Sequence, residues 1–190
     1  MDELYDRIDT IYVENDKFSY TTSVDTITSA YLLLKNRIEY PVFLDKGNKI
    51  KIKGDTINLN FLTISGNIYN EEFTDFQKAL EDPADPSEKA GEETVDKRIT
   101  VEKANTAEEM AEEFILQHHS SYVSLYLLDK YFVQKETPDF SKIKKLVEVM
   151  TGVLQDKPYI ERLNETITQA EKSEIGKYAP FFSLPNAKGE

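Results

Sequence analysis

The chain has 190 residues, a formal net charge of -12 at pH 7, 39% hydrophobic and 31% charged residues, and no cysteine or tryptophan. That length and apolar fraction suit a soluble globular protein of one or two domains, while the acidic balance, with no dense stripe of Lys and Arg, argues against binding nucleic acid. Without cysteine the chain itself cannot form a disulfide, a thiolate nucleophile, an iron–sulfur cluster or a cysteine zinc site.

No apolar run approaches the ~20 residues that span a bilayer. The opening "MDELYDRIDT" is acidic where a secretory signal would be basic and then apolar. The first third reads as strands. "IDTIYVE" (Ile8 to Glu14) and "KFSYTT" (Lys17 to Thr22) alternate around "NDK" and predict a hairpin. "SAYLLLK" (Ser29 to Lys35) and "YPVFLD" (Tyr40 to Asp45) flank a polar turn, and "DKGN" supplies turn chemistry before "KIKIKG". There Ile50 and Ile52 face one way and lysines the other. "NLNFLTIS" (Asn58 to Ser65) predicts a further strand, closed by Gly66.

Beyond Gly66 the period changes. "NEEFTDFQKALED" spaces Phe73, Phe76 and Leu80 as a helix would, with Asn70 as its predicted N-cap and Glu71 and Glu72 in its first turn. From Asp82 to Lys103 prolines, a glycine and many charges predict an acidic linker or mobile loop, weakest in order over Asp82 to Glu93. Helices follow. "NTAEEMAEEFILQHH" offers a capping box at Thr106 and Glu109, and "SSYVSLYLLDKYFVQ" carries Val123, Leu127, Leu128, Tyr131 and Phe132. "DFSKIKKLVEVMTGVL" takes Asp139 as its cap and hides Ile143, Leu146, Val147 and Met150. "KPYIERLNETITQAEK" starts near Pro158 and hides Ile160, Leu163 and Ile167.

The residues carry little sign of catalysis. His118 and His119, the only histidines, would project about 100° apart on a helix and cannot chelate one metal as an i, i+4 pair would. A helix C-terminus, where they meet the negative end of the dipole, explains them better. The carboxylate pairs at Glu71 and Glu72, Glu108 and Glu109, and Glu112 and Glu113 read as solvated helix faces, because a general acid needs a carboxyl group in an apolar pocket. "KIKKL" from Lys142 reads the same way. There is no GxGxxG, phosphate loop, GxSxG elbow or calcium loop. Tyrosine and phenylalanine at strand and helix spacing predict core, not a ligand platform. No catalytic, cofactor or metal residue is therefore assigned.

The closing stretch "IGKYAPFFSLPNAKGE" resembles the opening segment of thioredoxin-like domains of the TlpA/ResA and peroxiredoxin-related (AhpC/TSA) kind, with the pattern G-x-x-A-P-x-F-x-L, a turn and Gly. Gly176, Ala179, Pro180, Phe182, Leu184 and Gly189 match it, while Phe181 stands where such domains commonly carry Asp. Upstream, "KFSYTTSVDTITSAYLLL", "PVFLDKGNKIKIKGD", "ISGNIYNEEFTDFQKAL" and "SSYVSLYLLDKYF" resemble the domain of unknown function that precedes such a domain in Bacteroidota.

The resemblance implies an accessory module of a thiol-disulfide oxidoreductase of the periplasm or cell envelope, lipid-anchored in some members, with its CxxC beyond Glu190. It also implies a signal segment and one or two strands ahead of Ile8. Its partners would be the thioredoxin-like domain in cis, docked through Pro180, Phe182 and Leu184, and a redox partner protein. Exposed strand edges would allow homo-oligomers. The other reading is a free-standing envelope domain that binds a peptide or glycan.

The expected architecture is α+β, an N-terminal antiparallel β-sheet (sandwich or partial barrel) followed by three to five helices. Its boundaries are a β region at 1–66, a helix packed on it at 67–81, the linker at 82–104, a helical region at 105–174 and the thioredoxin-like opening at 175–190.

Overall fold

The structure is a computed structural model and describes residues 8–34, 38–54, 61–81, 97–155 and 157–173. It is α+β. Two antiparallel hairpins come first, β1 (Thr28–Leu33) with β2 (Glu39–Leu44) and β3 (Lys51–Gly54) with β4 (Leu62–Ser65), each a separate two-stranded sheet. Among the described residues five helices follow: α1 (Ile68–Glu81), α2 (Lys97–Gln117), α3 (Tyr122–Leu128), α4 (Phe140–Val149) and α5 (Pro158–Ser173). α3 runs on into a π-helical turn, Asp129–Val133, and a short 3-10 turn, Gly152–Leu154, precedes α5.

Local chemistry sets these boundaries. The "DKGN" turn closes with the Asn48 N–H on the Asp45 carbonyl at 3.2 Å, Gly47 supplying a φ of +77°. In the following hairpin Ile52 stands opposite Ile64, and Ile50 and Ile52 are half-buried while Lys49, Lys51 and Lys53 are exposed, as their alternation requires. Gly66 ends β4 at φ +113°, and a Cβ there would sit 2.2 Å from the Lys49 carbonyl oxygen, so the reversal into α1 needs glycine. Asp139 caps α4 by accepting the Lys142 N–H at 3.0 Å. Ile143, Leu146, Val147 and Met150, and likewise Ile160, Leu163 and Ile167 of α5, are all buried.

Three expectations need correction. The hairpin over Ile8 to Thr22 is reduced to its turn: Asn15 and Asp16 take φ 50° and 59°, the two left-handed residues of a type I′ turn, and only Glu14 and Lys17 bridge. Ile11 and Val13 alternate with Tyr12, so neither face is clearly apolar, and Ile8, Tyr12, Val13, Phe18 and Tyr20 are exposed. A lone hairpin with no face to bury is marginal. Second, Asn70 is not the cap of α1. Asn67 is, its Oδ1 accepting the Asn70 N–H at 3.0 Å, which leaves the Asn70 side chain free to turn inward. Third, α2 begins at Lys97, so its backbone takes in residues 97–104 of the stretch read as linker, and Thr106 and Glu109 lie inside the helix and do not form a capping box. Residues 82–93 and 175–190 lie outside the described residues.

One core joins the strands to the helices. Phe73 of α1 sits edge-on to Tyr40 and Phe43 of β2, with ring centroids 5.8 and 6.3 Å apart, and to Tyr126 of α3 at 5.3 Å. Edge-to-face contacts of this kind add about 0.5–1.5 kcal/mol each beyond the area they bury. Most of the described tyrosines and phenylalanines thus lie in the core or pack against it, while Tyr12, Phe18, Tyr20 and Tyr31 are exposed.

α1 also completes the hairpins' hydrogen bonding. Asn70 accepts the Phe43 N–H at 2.9 Å and donates to the Phe43 carbonyl at 2.8 Å. Four residues on, the Thr74 hydroxyl accepts the Ile64 N–H at 3.0 Å and donates to the Ile64 carbonyl at 2.9 Å. The Tyr40 hydroxyl meets both polar groups of Leu62, with Gln77 Oε1 beside it. β2 and β4 therefore present edges that are blunted by side chains, not open to another strand.

Candidate functional site

Two adjoining features in the helical half combine irregular backbone with an open surface. The first is the π-helical turn, an insertion that α-helices carry often at functional positions. It widens the helix after Leu128, so that Leu127, Leu128 and Phe132 all reach the core while Asp129 points across to α5. Asp129 accepts the Tyr159 hydroxyl at 2.5 Å through one oxygen and the Gln134 side-chain amide at 2.5 Å through the other. Burial first, and then the carboxylate, push the Tyr159 phenol well above its ordinary pKa, so it stays protonated and acts as a fixed donor. Asp129 is thereby a bracket between the turn and α5. Both its oxygens are engaged.

The second feature is an open groove of about 280 Å³ lined by Val133, Pro138, Phe140, Tyr159, Arg162, Leu163 and Thr166. Tyr159, Leu163 and Thr166 stand at i, i+4 and i+7 on one flank of α5, and the π turn and the head of α4 form the opposite wall. Its volume falls just below the ~300–1,000 Å³ usual for small-molecule pockets. The Thr166 hydroxyl already donates to the Arg162 carbonyl at 3.0 Å. Arg162 is the lone charge, the Tyr159 and Thr166 hydroxyls are already engaged, and the rest of the lining is apolar. Chemically, the groove can receive a large apolar side chain and lacks the convergent polar groups of a catalytic pocket.

The π turn leaves a signal in the sequence, since "LLDKYFVQ" is apolar on too many faces for a regular helix, whereas the groove was not legible because it depends on α5 returning beside that turn.

The residues singled out from the sequence are dispersed. His118 stacks on Phe114 at 4.2 Å with Nδ1 3.2 Å from that residue's carbonyl, and His119 Nδ1 lies 3.3 Å from the Thr151 hydroxyl. Both stand at the C-terminal end of α2, with separate partners.

Glu71 accepts the Gly66 N–H at 3.3 Å, and Glu72 accepts the hydroxyl of Ser121, the cap of α3, at 2.5 Å. Glu108 pairs with Lys135 and, at 3.3 Å, with Lys142, which also meets Glu112 at 2.7 Å. Burial pushes the Glu108 carboxyl upward, but the two ammonium groups outweigh it and hold its pKa below the ordinary value. Through Lys142 these pairs brace α2 to α4, and through Lys135 to the segment that precedes α4. Among the described residues no group of three or more His, Cys, Asp or Glu is placed to hold a metal ion, and no helix is long and apolar enough to cross a membrane. Pro180, Phe182 and Leu184 lie outside the described residues.

Residues 1–73 match the model of a family described as a domain of unknown function (DUF4369), a span that takes in both hairpins and the start of α1. No curated protein and no solved structure matches the chain.

Proposed function

We propose that the chain is a non-catalytic N-terminal accessory module of a thiol-disulfide oxidoreductase of the periplasm or cell envelope, which positions a thioredoxin-like domain or recognises that domain's protein partner. One observation carries the reading. A chain with no cysteine has, just after α5 ends at Ser173, the pattern Gly176, Ala179, Pro180, Phe182, Leu184 and Gly189 with which thioredoxin-like domains open.

The match of residues 1–73 to a domain of unknown function agrees with a module that is distinct from the catalytic domain. The described surface suits such a role: its carboxylates and histidines brace helices, and the groove beside the π turn is mainly apolar. In this reading the parent protein's dithiol does the chemistry, since thiol-disulfide exchange needs an attacking thiolate and a leaving thiol that this chain does not contain.

Two measurements test it. The chain alone should reduce insulin in dithiothreitol no faster than the protein-free control. Reading the coding sequence past the Glu190 codon should reveal an in-frame Cys-x-x-Cys shortly downstream. A stop codon or an unrelated domain there would overturn the proposal and favour a free-standing binding domain.

A further inference from the structure

We infer that the groove beside the π turn is the seat of the chain's own Phe182 and Leu184, so that the segment after α5 folds back along that helix and the opening of the next domain is held against this module. This rests on the function proposed above and on the docking role that the resemblance implies for Pro180, Phe182 and Leu184, and it names where on the module they hold.

The first argument is the chemistry of the groove. Val133, Pro138, Phe140 and Leu163 offer apolar walls, its volume of about 280 Å³ suits side chains better than a drug-sized ligand, and both its hydroxyls are already bonded, Thr166 to the Arg162 carbonyl and Tyr159 to Asp129. Arg162 at the rim adds a guanidinium, which stacks readily on an aromatic face. An aromatic and an aliphatic side chain from an extended segment match this surface.

The second argument is reach. From Ser173 back to Leu163 is ten helical residues, about 15 Å along the axis. Residues 174–182, extended, can span about 30 Å. Phe182 can therefore lie level with Leu163 and Thr166 with several residues to spare for the reversal, and Gly176 is the residue type that permits a sharp one. Pro180 sets the φ of an extended approach. A segment on the same chain also meets the groove at a far higher effective concentration than any partner in solution.

Because the chain has no tryptophan, Phe182→Trp gives a single reporter. In the full chain its emission should be blue-shifted and shielded from acrylamide. Thr166 is exposed, so Thr166→Glu should preserve the fold while placing a charge in the groove, and should return the emission to that of a solvated indole. Against a misfit of the larger ring, a thermal double-mutant cycle serves as well: Phe182→Ala with Leu184→Ala should lower the melting temperature in the native background and leave it unchanged beside Thr166→Glu.

A solvated reporter together with no coupling in the cycle would overturn the inference. So would a blue shift that ignores Thr166→Glu, which would place the segment elsewhere, or one that disappears on dilution, which would place it on a second copy. The downstream Cys-x-x-Cys reports on the function separately. Finding it with no docking refutes the seat alone, and docking without it refutes the function alone.

Discussion

Asn70 is 1% exposed, and its side chain bonds both the N–H and the carbonyl of the fully buried Phe43, the carbonyl also accepting the Asn67 amide. A buried backbone group left without a partner costs about 1–3 kcal/mol, so Asn70→Ala should destabilise the chain by about 2–4 kcal/mol, more than its small volume suggests. Urea unfolding would read this as a lowered midpoint with unchanged slope. Thr74→Val keeps the shape and removes the hydroxyl between the Ile64 N–H and carbonyl, and a loss of about 1–3 kcal/mol is expected by the same measurement. A loss below about 0.5 kcal/mol for both would mean that water replaces these side chains and that the strand edges do not depend on α1. From sequence, Asn70 was legible only as a polar residue near a helix start. Its actual partner lies 27 residues earlier, and nothing local encodes that distance.

At the scale of elements, the parts that could be read were those whose ends are fixed by neighbours in the chain. α4 is the clearest: Asp139 accepts the Lys142 N–H, and replacing it with Ala should cost about 1 kcal/mol, seen as a drop in melting temperature of about 2–4 °C. The hairpins were legible through "DKGN" and Gly66 for the same reason. What failed were inferences from pattern without a partner surface. The alternation over Ile8 to Thr22 is real, but strands persist only where a face is covered. The true start of α2 was hidden because its first residues are charged and its cap-like Thr106 is internal.

The brace that holds α2 to α4 makes a pH-dependent prediction. The Glu108 carboxyl, one-fifth exposed, has its folded pKa held below the ordinary value, so its contribution is present above the unfolded value of about 4.3 and is lost as pH falls through the lower folded one. Lys142 is shifted upward, chiefly by Glu112, and loses its contribution only as pH rises through its folded value in the alkaline range. The stability difference between the native chain and Glu108→Gln should accordingly be flat around pH 7 and shrink on acidification below about pH 4. A difference that grows on acidification instead would contradict the ion-pair assignment.

For the whole molecule, the family match and the core divide the chain differently. The matched span closes at residue 73, inside α1, whereas the aromatic contacts run straight across it into the helices that follow. Phe43 and Phe73 both meet Tyr126, Tyr69 meets Tyr122 at 5.4 Å, and Phe76 meets Phe114 and Tyr131 at 5.7 and 6.2 Å. Cutting the chain after Glu81 would return those rings to water, and burying an aromatic or large aliphatic side chain contributes about 1.5–3 kcal/mol each against a domain stability of only about 5–15 kcal/mol. The two hairpins with α1 should therefore not fold alone. Residues 1–81 by themselves are expected to melt without cooperativity, to bind a hydrophobic dye and to associate, because the face that α2 and α3 cover would be open. Residues 97–190 added in equimolar amount should restore a sharp transition and abolish the dye signal. If residues 1–81 instead melt sharply as a monomer, the aromatic seam is a contact between two independently stable units, and the helical half would have to be understood as a domain in its own right.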